Sequence, residues 1–99
     1  MSEILSWISQ WMTSNCNGSW EHMYGVKIGT LDNPGWYVTI DLTDTELESL
    51  EMETDVIENT EDDWYYYKGK DKKYFGAGDL NKLEFLLYAF KDLVEKHKA

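Results

Sequence analysis

Apolar positions recur along the 99-residue chain in two distinct periods. Ile4, Leu5, Trp7, Ile8, Trp11 and Met12 follow the three- and four-residue spacing of one helical face. With Ser2 placed as an N-cap, this predicts a helix from about Ser2 to Ser14. Asn15-Cys16-Asn17-Gly18 should close it, because Asn and Gly tolerate the left-handed backbone that ends helices. From Trp20 the period falls to two. Trp20, His22, Tyr24, Val26 and Ile28 alternate with Glu21, Met23, Gly25, Lys27 and Gly29, the pattern of a half-buried strand that would turn Glu21 away from Trp20.

Asp32-Asn33-Pro34-Gly35 places Pro where a turn needs a fixed negative φ and Gly where a type II turn needs a positive one. Beyond it Trp36, Val38, Ile40 and Leu42 alternate with Tyr37, Thr39, Asp41 and Thr43, which predicts a second strand and an antiparallel hairpin. Weaker alternation over Leu50 to Glu58, Trp64 to Lys68 and Lys73 to Gly76 adds three further strands. The last segment reads as a helix with Asn81 as N-cap, Glu84 completing a capping box, and Leu80 with Phe85 as a hydrophobic staple. Leu83, Leu86, Leu87, Phe90, Leu93 and Val94 form its apolar stripe, and Lys96 and Lys98 suit the negative end of its dipole. With no βαβ alternation, the expected class is α+β: one domain over residues 1–99, an antiparallel sheet of about five strands with an N-terminal and a C-terminal helix packed on it.

Charge sharpens this picture. The chain has nineteen acidic residues, nine Lys and no Arg, for a net charge of -10. Eleven of those acids lie between Asp41 and Asp63, a stretch without Lys; the other eight face nine Lys, leaving the rest of the chain at +1. This is the wrong sign for gripping phosphate backbones or anionic membranes, so neither nucleic acid nor a membrane is the expected partner. Such a run reads either as a solvated face or as a docking surface for a cationic partner, where charge of one sign speeds association roughly 10- to 1000-fold. The lone Cys16 cannot form an internal disulfide, and the first residues lack the positive charge of a leader, so a cytoplasmic protein is expected.

Chemistry-bearing patterns are sparse. Cys16 with His22 could be read as a nucleophile and base, yet no Lys or Arg lies within ten residues of Cys16 to favour a thiolate, and a small packing residue is the simpler reading. His22 reads as a hydrogen-bonded core or rim residue and His97 as a solvated one. Two His and one Cys do not show zinc spacing, and Asp41, Asp44 and Glu46 lack the offsets of a calcium loop. Gly76-Ala77-Gly78 half-matches a dinucleotide loop, but Asn81 replaces the third Gly and Asp79 would repel phosphate, so it reads as a hinge into the last helix. No catalytic residue, metal or cofactor is expected.

Asn15-Cys16-Asn17-Gly18-Ser19-Trp20-Glu21-His22, then Tyr24-Gly25-Val26-Lys27-Ile28, then Thr30-Leu31-Asp32-Asn33-Pro34-Gly35-Trp36 resembles the signature of the immunity protein 53 family of bacterial polymorphic toxin systems. The likeness continues through Ile40-Asp41-Leu42, Thr45 and Leu47, and Asp62-Asp63-Trp64 to the last helix. It implies an antidote made beside a toxin gene, which binds the toxin domain and blocks it. Many such toxins are nucleases with basic clefts that an acidic surface could occupy.

The residues expected to meet the partner are Asp44, Glu46, Glu48, Glu51, Glu53, Asp55, Glu58, Glu61, Asp62 and Asp63. Glu21 joins them, with Tyr37, Tyr65 and Tyr67 as aromatic neighbours. Trp20 and Trp36 read as core. Two other readings stand beside the antidote: an acidic adaptor for another basic protein, and a Cys16-dependent transferase.

Overall fold

Ser2 starts the first helix as its sequence predicts, its Oγ accepting from Leu5 N at 3.3 Å. In a computed structural model that describes residues 2–98, helix α1 runs Glu3–Asn15 and buries Ile4, Ile8 and Trp11, spaced four and three apart on one face. Cys16 follows it, exposed and free rather than packed, with its Sγ 3.2 Å from Met12 O.

The next segment departs from expectation. Trp20–Met23 is a one-turn helix, α2, where alternation predicts a strand. Local side chains decide this. Asn17 Oδ1 accepts from the Ser19 and Trp20 N–H groups at 3.0 and 2.9 Å, and the Glu21 carboxylate accepts from Asn17 and Gly18 N–H, each at 3.0 Å. These bonds hold a turn that a period-two pattern cannot report. Trp20 is buried in it, with Nε1 donating to Thr43 O at 2.8 Å, while His22 is exposed rather than in the core or at its rim.

The sheet has six strands: β1 (Val26–Leu31), β2 (Gly35–Asp41), β3 (Met52–Glu53), β4 (Ile57–Thr60), β5 (Asp63–Lys70) and β6 (Lys73–Gly78). Their order is β1-β2-β6-β5-β3, with β4 also on β5, and every pairing is antiparallel. The expected strand over 50–58 is thus two short pieces that follow one another along one edge of β5. The β1–β2 turn is not type II: the Asn33–Pro34 bond is cis and Gly35 does not take a positive φ. Gly35 is needed for another reason, because a Cβ there would come 2.5 Å from Gly78 O on β6. Gly76-Ala77-Gly78 is buried strand, not a hinge. Between β5 and β6, Asp71 and Lys72 have φ of 55° and 64°, the positive pair that a type I′ hairpin turn requires.

Helix α3 (Leu83–Lys98) lies over β2 and β6, with α1 beside it. Together they cover the sheet face that carries Val38, Ile40, Leu42 and Tyr74, and Leu86, Leu87, Phe90 and Val94 complete the core. Trp11 stands edge-on to both Trp20 and Phe90. The buried Tyr74 hydroxyl donates to Leu86 O at 2.8 Å, and burial drives its pKa far above the usual tyrosine value. The cap of α3 differs from expectation. The helix begins at Leu83, and the organising residue is Asp79, whose Oδ1 accepts from Asn81 N at 2.7 Å. Phe85 packs on Tyr65, with centroids 4.4 Å apart. Lys96 is exposed in the last turn; the Lys98 side chain lies outside the described residues. Among the described residues no helix is long and apolar enough to cross a membrane.

Candidate functional site

Antiparallel register divides the residues of β5 by parity. Tyr65, Tyr67 and Gly69 stand opposite Gly78, Gly76 and Tyr74, on the face the helices cover; Tyr66, Lys68 and Lys70 take the uncovered face. Tyr65 and Tyr67 accordingly stack at 6.5 Å beneath Phe85, and Tyr67 also packs against Tyr74. Tyr37 is on the other side of the sheet, its ring lying over Gly29, where an added Cβ would come within 2.4 Å. The three tyrosines expected beside the acids therefore straddle the sheet, Tyr65 and Tyr67 on the covered face and Tyr37 on the open one.

The acids form a stripe rather than a patch. Asp44, Glu46 and Glu48 lie in the loop that leaves β2, near the β5–β6 turn, where Leu42 N donates to Lys72 O at 2.8 Å. Glu48 Oε2 there accepts from Asp44 N at 2.7 Å. Leu47 and Leu50 anchor this loop to the core, Leu50 lying over Gly69. Glu51, Glu53 and Asp55 follow along β3, exposed at the sheet edge, and Glu58, Glu61 and Asp62 occupy β4 and its turn. The stripe thus spans the length of β5, about 24 Å for seven steps of strand. Glu21 stands apart, its carboxylate engaged by backbone N–H groups: its own, and those of Asn17 and Gly18, hold it below the usual range.

At the far end of the stripe the acids meet aromatic walls. Because β2, β6 and β5 are antiparallel neighbours, the β1–β2 turn and the β4–β5 turn lie at the same end of the sheet. Between them is an open cleft of about 580 Å³, lined by Asn33, Pro34, Val56, Glu58, Glu61, Asp62, Trp64 and Tyr66. Three carboxylates and two aromatic rings face it, and among the described residues no cationic side chain does. Such a lining suits a Lys or Arg side chain, by ion pairing at the rim and by contact of the cation with ring faces. Trp64, Tyr66, Val56, Asn33 and Pro34 were not among the expected contacts. The alternation of Trp64, Tyr66, Lys68 and Lys70 was the available signal, since the polar parity of a half-covered strand marks its open face.

Asp63, next to the cleft, is committed elsewhere. Lys82 Nζ lies 2.8 Å from both Asp63 Oδ1 and Asp79 Oδ2. The Lys82 bond, aided by Asn59, lowers the Asp63 pKa, and the two carboxylates raise that of Lys82. Asp79 is 3% exposed; burial pushes its pKa up, but bonds from Lys82, Trp64 N and Asn81 N outweigh this and leave it lowered. These three side chains lock β5 to the start of α3. Among the described residues no three His, Cys, Asp or Glu side chains converge as metal ligands.

No curated protein and no solved structure matches the chain. One family does, described as immunity protein 53, and the match runs over residues 5–95. It takes in the α1–α2 junction, the whole sheet, the acidic stripe and nearly all of α3, so the chain belongs to the immunity protein 53 family.

Proposed function

We propose that the chain is an antidote that binds a cognate toxin domain of a polymorphic toxin system one to one and neutralises it, in the cytoplasm of the cell that makes both. The observation that carries this reading is the acidic stripe ending in the cleft of Glu58, Glu61, Asp62, Trp64 and Tyr66, in a member of an immunity protein family. The stripe steers a basic toxin surface into encounter, and the aromatic cleft seats one of its cationic side chains. A nuclease with a basic phosphate-binding cleft is the target class that fits this charge best. The protein does this by occupancy, with no catalytic step of its own.

Co-expression tests the reading. The toxic domain encoded beside this chain is induced in a heterologous bacterium with and without it, and surviving colonies are counted. Rescue is expected, with a Kd at or below about 1 nM. It should fall when Glu46, Glu48, Glu51 and Glu53 are neutralised together, and fall again for Glu58→Gln/Glu61→Gln/Asp62→Asn. No rescue, with both proteins soluble, overturns the reading for that toxin; micromolar binding without rescue favours the adaptor.

A further inference from the structure

The uncovered sheet face carries a second concavity next to the acidic cleft, and its charge is opposite. Tyr66, Lys68, Lys70, Asp71, Lys73 and Phe75 line about 400 Å³ there, so the Tyr66 ring borders both clefts. Lys70 stands directly opposite Lys73, and Lys68 opposite Phe75. Directly opposed residues of an antiparallel pair share a face, and like charges so placed repel, so the free protein bears a cost here. Among the described residues neither Lys68, Lys70 nor Lys73 has a carboxylate within ion-pair distance, in a chain with nineteen acids. Asp41 stands opposite Lys73 and Glu53 opposite Lys68, yet neither closes on its lysine. Asp41 Oδ2 instead accepts from Gly25 N at 3.3 Å.

We propose that this lysine cleft binds a carboxylate-bearing segment of the toxin domain, so that the uncovered sheet face docks a partner surface of both signs. The inference rests on the toxin-binding reading above and adds the chemistry of a second contact. A carboxylate between Lys70 and Lys73 turns their repulsion into two attractions, and Tyr66 and Phe75 supply flat apolar contact beside it. Four steps of strand separate Trp64 from Lys68, about 14 Å, so one short segment with a cationic residue at one end and acidic residues at the other spans both clefts. An extended polyphosphate is disfavoured relative to a segment with a cationic end, because Glu53 and Glu58 on the same face repel a run of negative charge and attract the cation, on a protein already at -10.

The test uses the full chain, the neighbouring toxin domain, a hexaglutamate peptide and an oligothymidylate of similar length. Hexaglutamate should shift the amide resonances of residues 68–73 and 75, and the shifts should vanish in Lys68→Gln/Lys70→Gln/Lys73→Gln. The same variant should weaken toxin binding by about tenfold or more. Lys70→Glu is the second arm: it converts the like-charged pair to an ion pair, so it folds at least as well, and it should weaken toxin binding at least as much. Unchanged toxin affinity in both variants overturns the inference while leaving the antidote reading standing. Failure of the wild-type chain to bind the toxin overturns both. Tighter binding of oligothymidylate than of hexaglutamate replaces the carboxylate partner with a nucleic acid.

Discussion

Asp79 holds Trp64 twice: its N–H donates to Trp64 O at 3.1 Å, and its Oδ2 accepts from Trp64 N at 2.9 Å. One buried carboxylate at the end of β6 thereby sets the backbone from which the Trp64 ring enters the acidic cleft. Removing it leaves Trp64 N and Asn81 N without their acceptor and the Lys82 ammonium with Asp63 alone. Asp79→Ala should cost about 3 kcal/mol, and Asp79→Asn less. Urea midpoints at neutral pH check this, and toxin affinity should fall with the same variants because Trp64, which lines the cleft, loses its backbone anchor.

The same group makes stability depend on pH. Asp79 and Asp63 have folded pKa values below their unfolded ones, so their stabilisation is fully present above the usual aspartate range. It disappears as pH falls below about 4 and through the folded values. Lys82 has the opposite sense: its raised pKa stabilises below the usual lysine value and is lost at pH above about 10. Denaturation curves from pH 7 down to 2 should show a steep acid loss that Asp79→Asn flattens.

Two glycines under aromatic rings should respond differently to one methyl group. At Gly35 a Cβ meets Gly78 O at 2.5 Å and the Trp64 ring at 3.1 Å, and backbone cannot step aside. Gly35→Ala should cost about 2 kcal/mol. At Gly29 the obstacle is the Tyr37 ring, a mobile side chain on the open face, so Gly29→Ala should be milder. Melting temperatures of the two variants give the comparison.

Consecutive tyrosines should separate by role. Tyr67→Ala removes a ring packed on Tyr74 and should cost about 3 kcal/mol of stability. Tyr66→Ala, on the open face between the two clefts and against Phe75, should cost less stability than Tyr67→Ala and weaken toxin binding by about 2 kcal/mol. Calorimetric unfolding and binding titrations on both variants decide this.

Cys16→Ser should change neither stability beyond about 0.5 kcal/mol nor rescue. The thiol is exposed and makes only a weak contact with Met12 O. Loss of rescue in this variant, with folding intact, would favour the thiol-dependent transferase.

The α+β class, both long helices and the β1–β2 hairpin were legible because each rests on a local period or cap. Ser2, the Ile4-Ile8-Trp11 face and the alternation of Val38, Ile40 and Leu42 all appear where the pattern puts them. Trp20 is core as its sequence predicts, but the strand expected from it is a helical turn because Asn17 and Glu21 satisfy backbone donors locally, a competition that periodicity does not register. The start of α3 was misplaced for a related reason, since Asp79 gathers Trp64 from another strand as well as Asn81. Glu58, Glu61 and Asp62 were visible as charge. Their aromatic partners were not, because Pro34 reaches Asp62 only through a strand order in which β6 sits between β2 and β5.

An open sheet edge is a template for further strands, yet β3 and β4 break this one into pieces of two and four residues, lined by Glu53, Asp55 and Glu58. A stray extended chain finds no continuous ladder to join, and carboxylates to displace. The protein can therefore accumulate in excess of its partner without zipping into sheets with its own copies along that side.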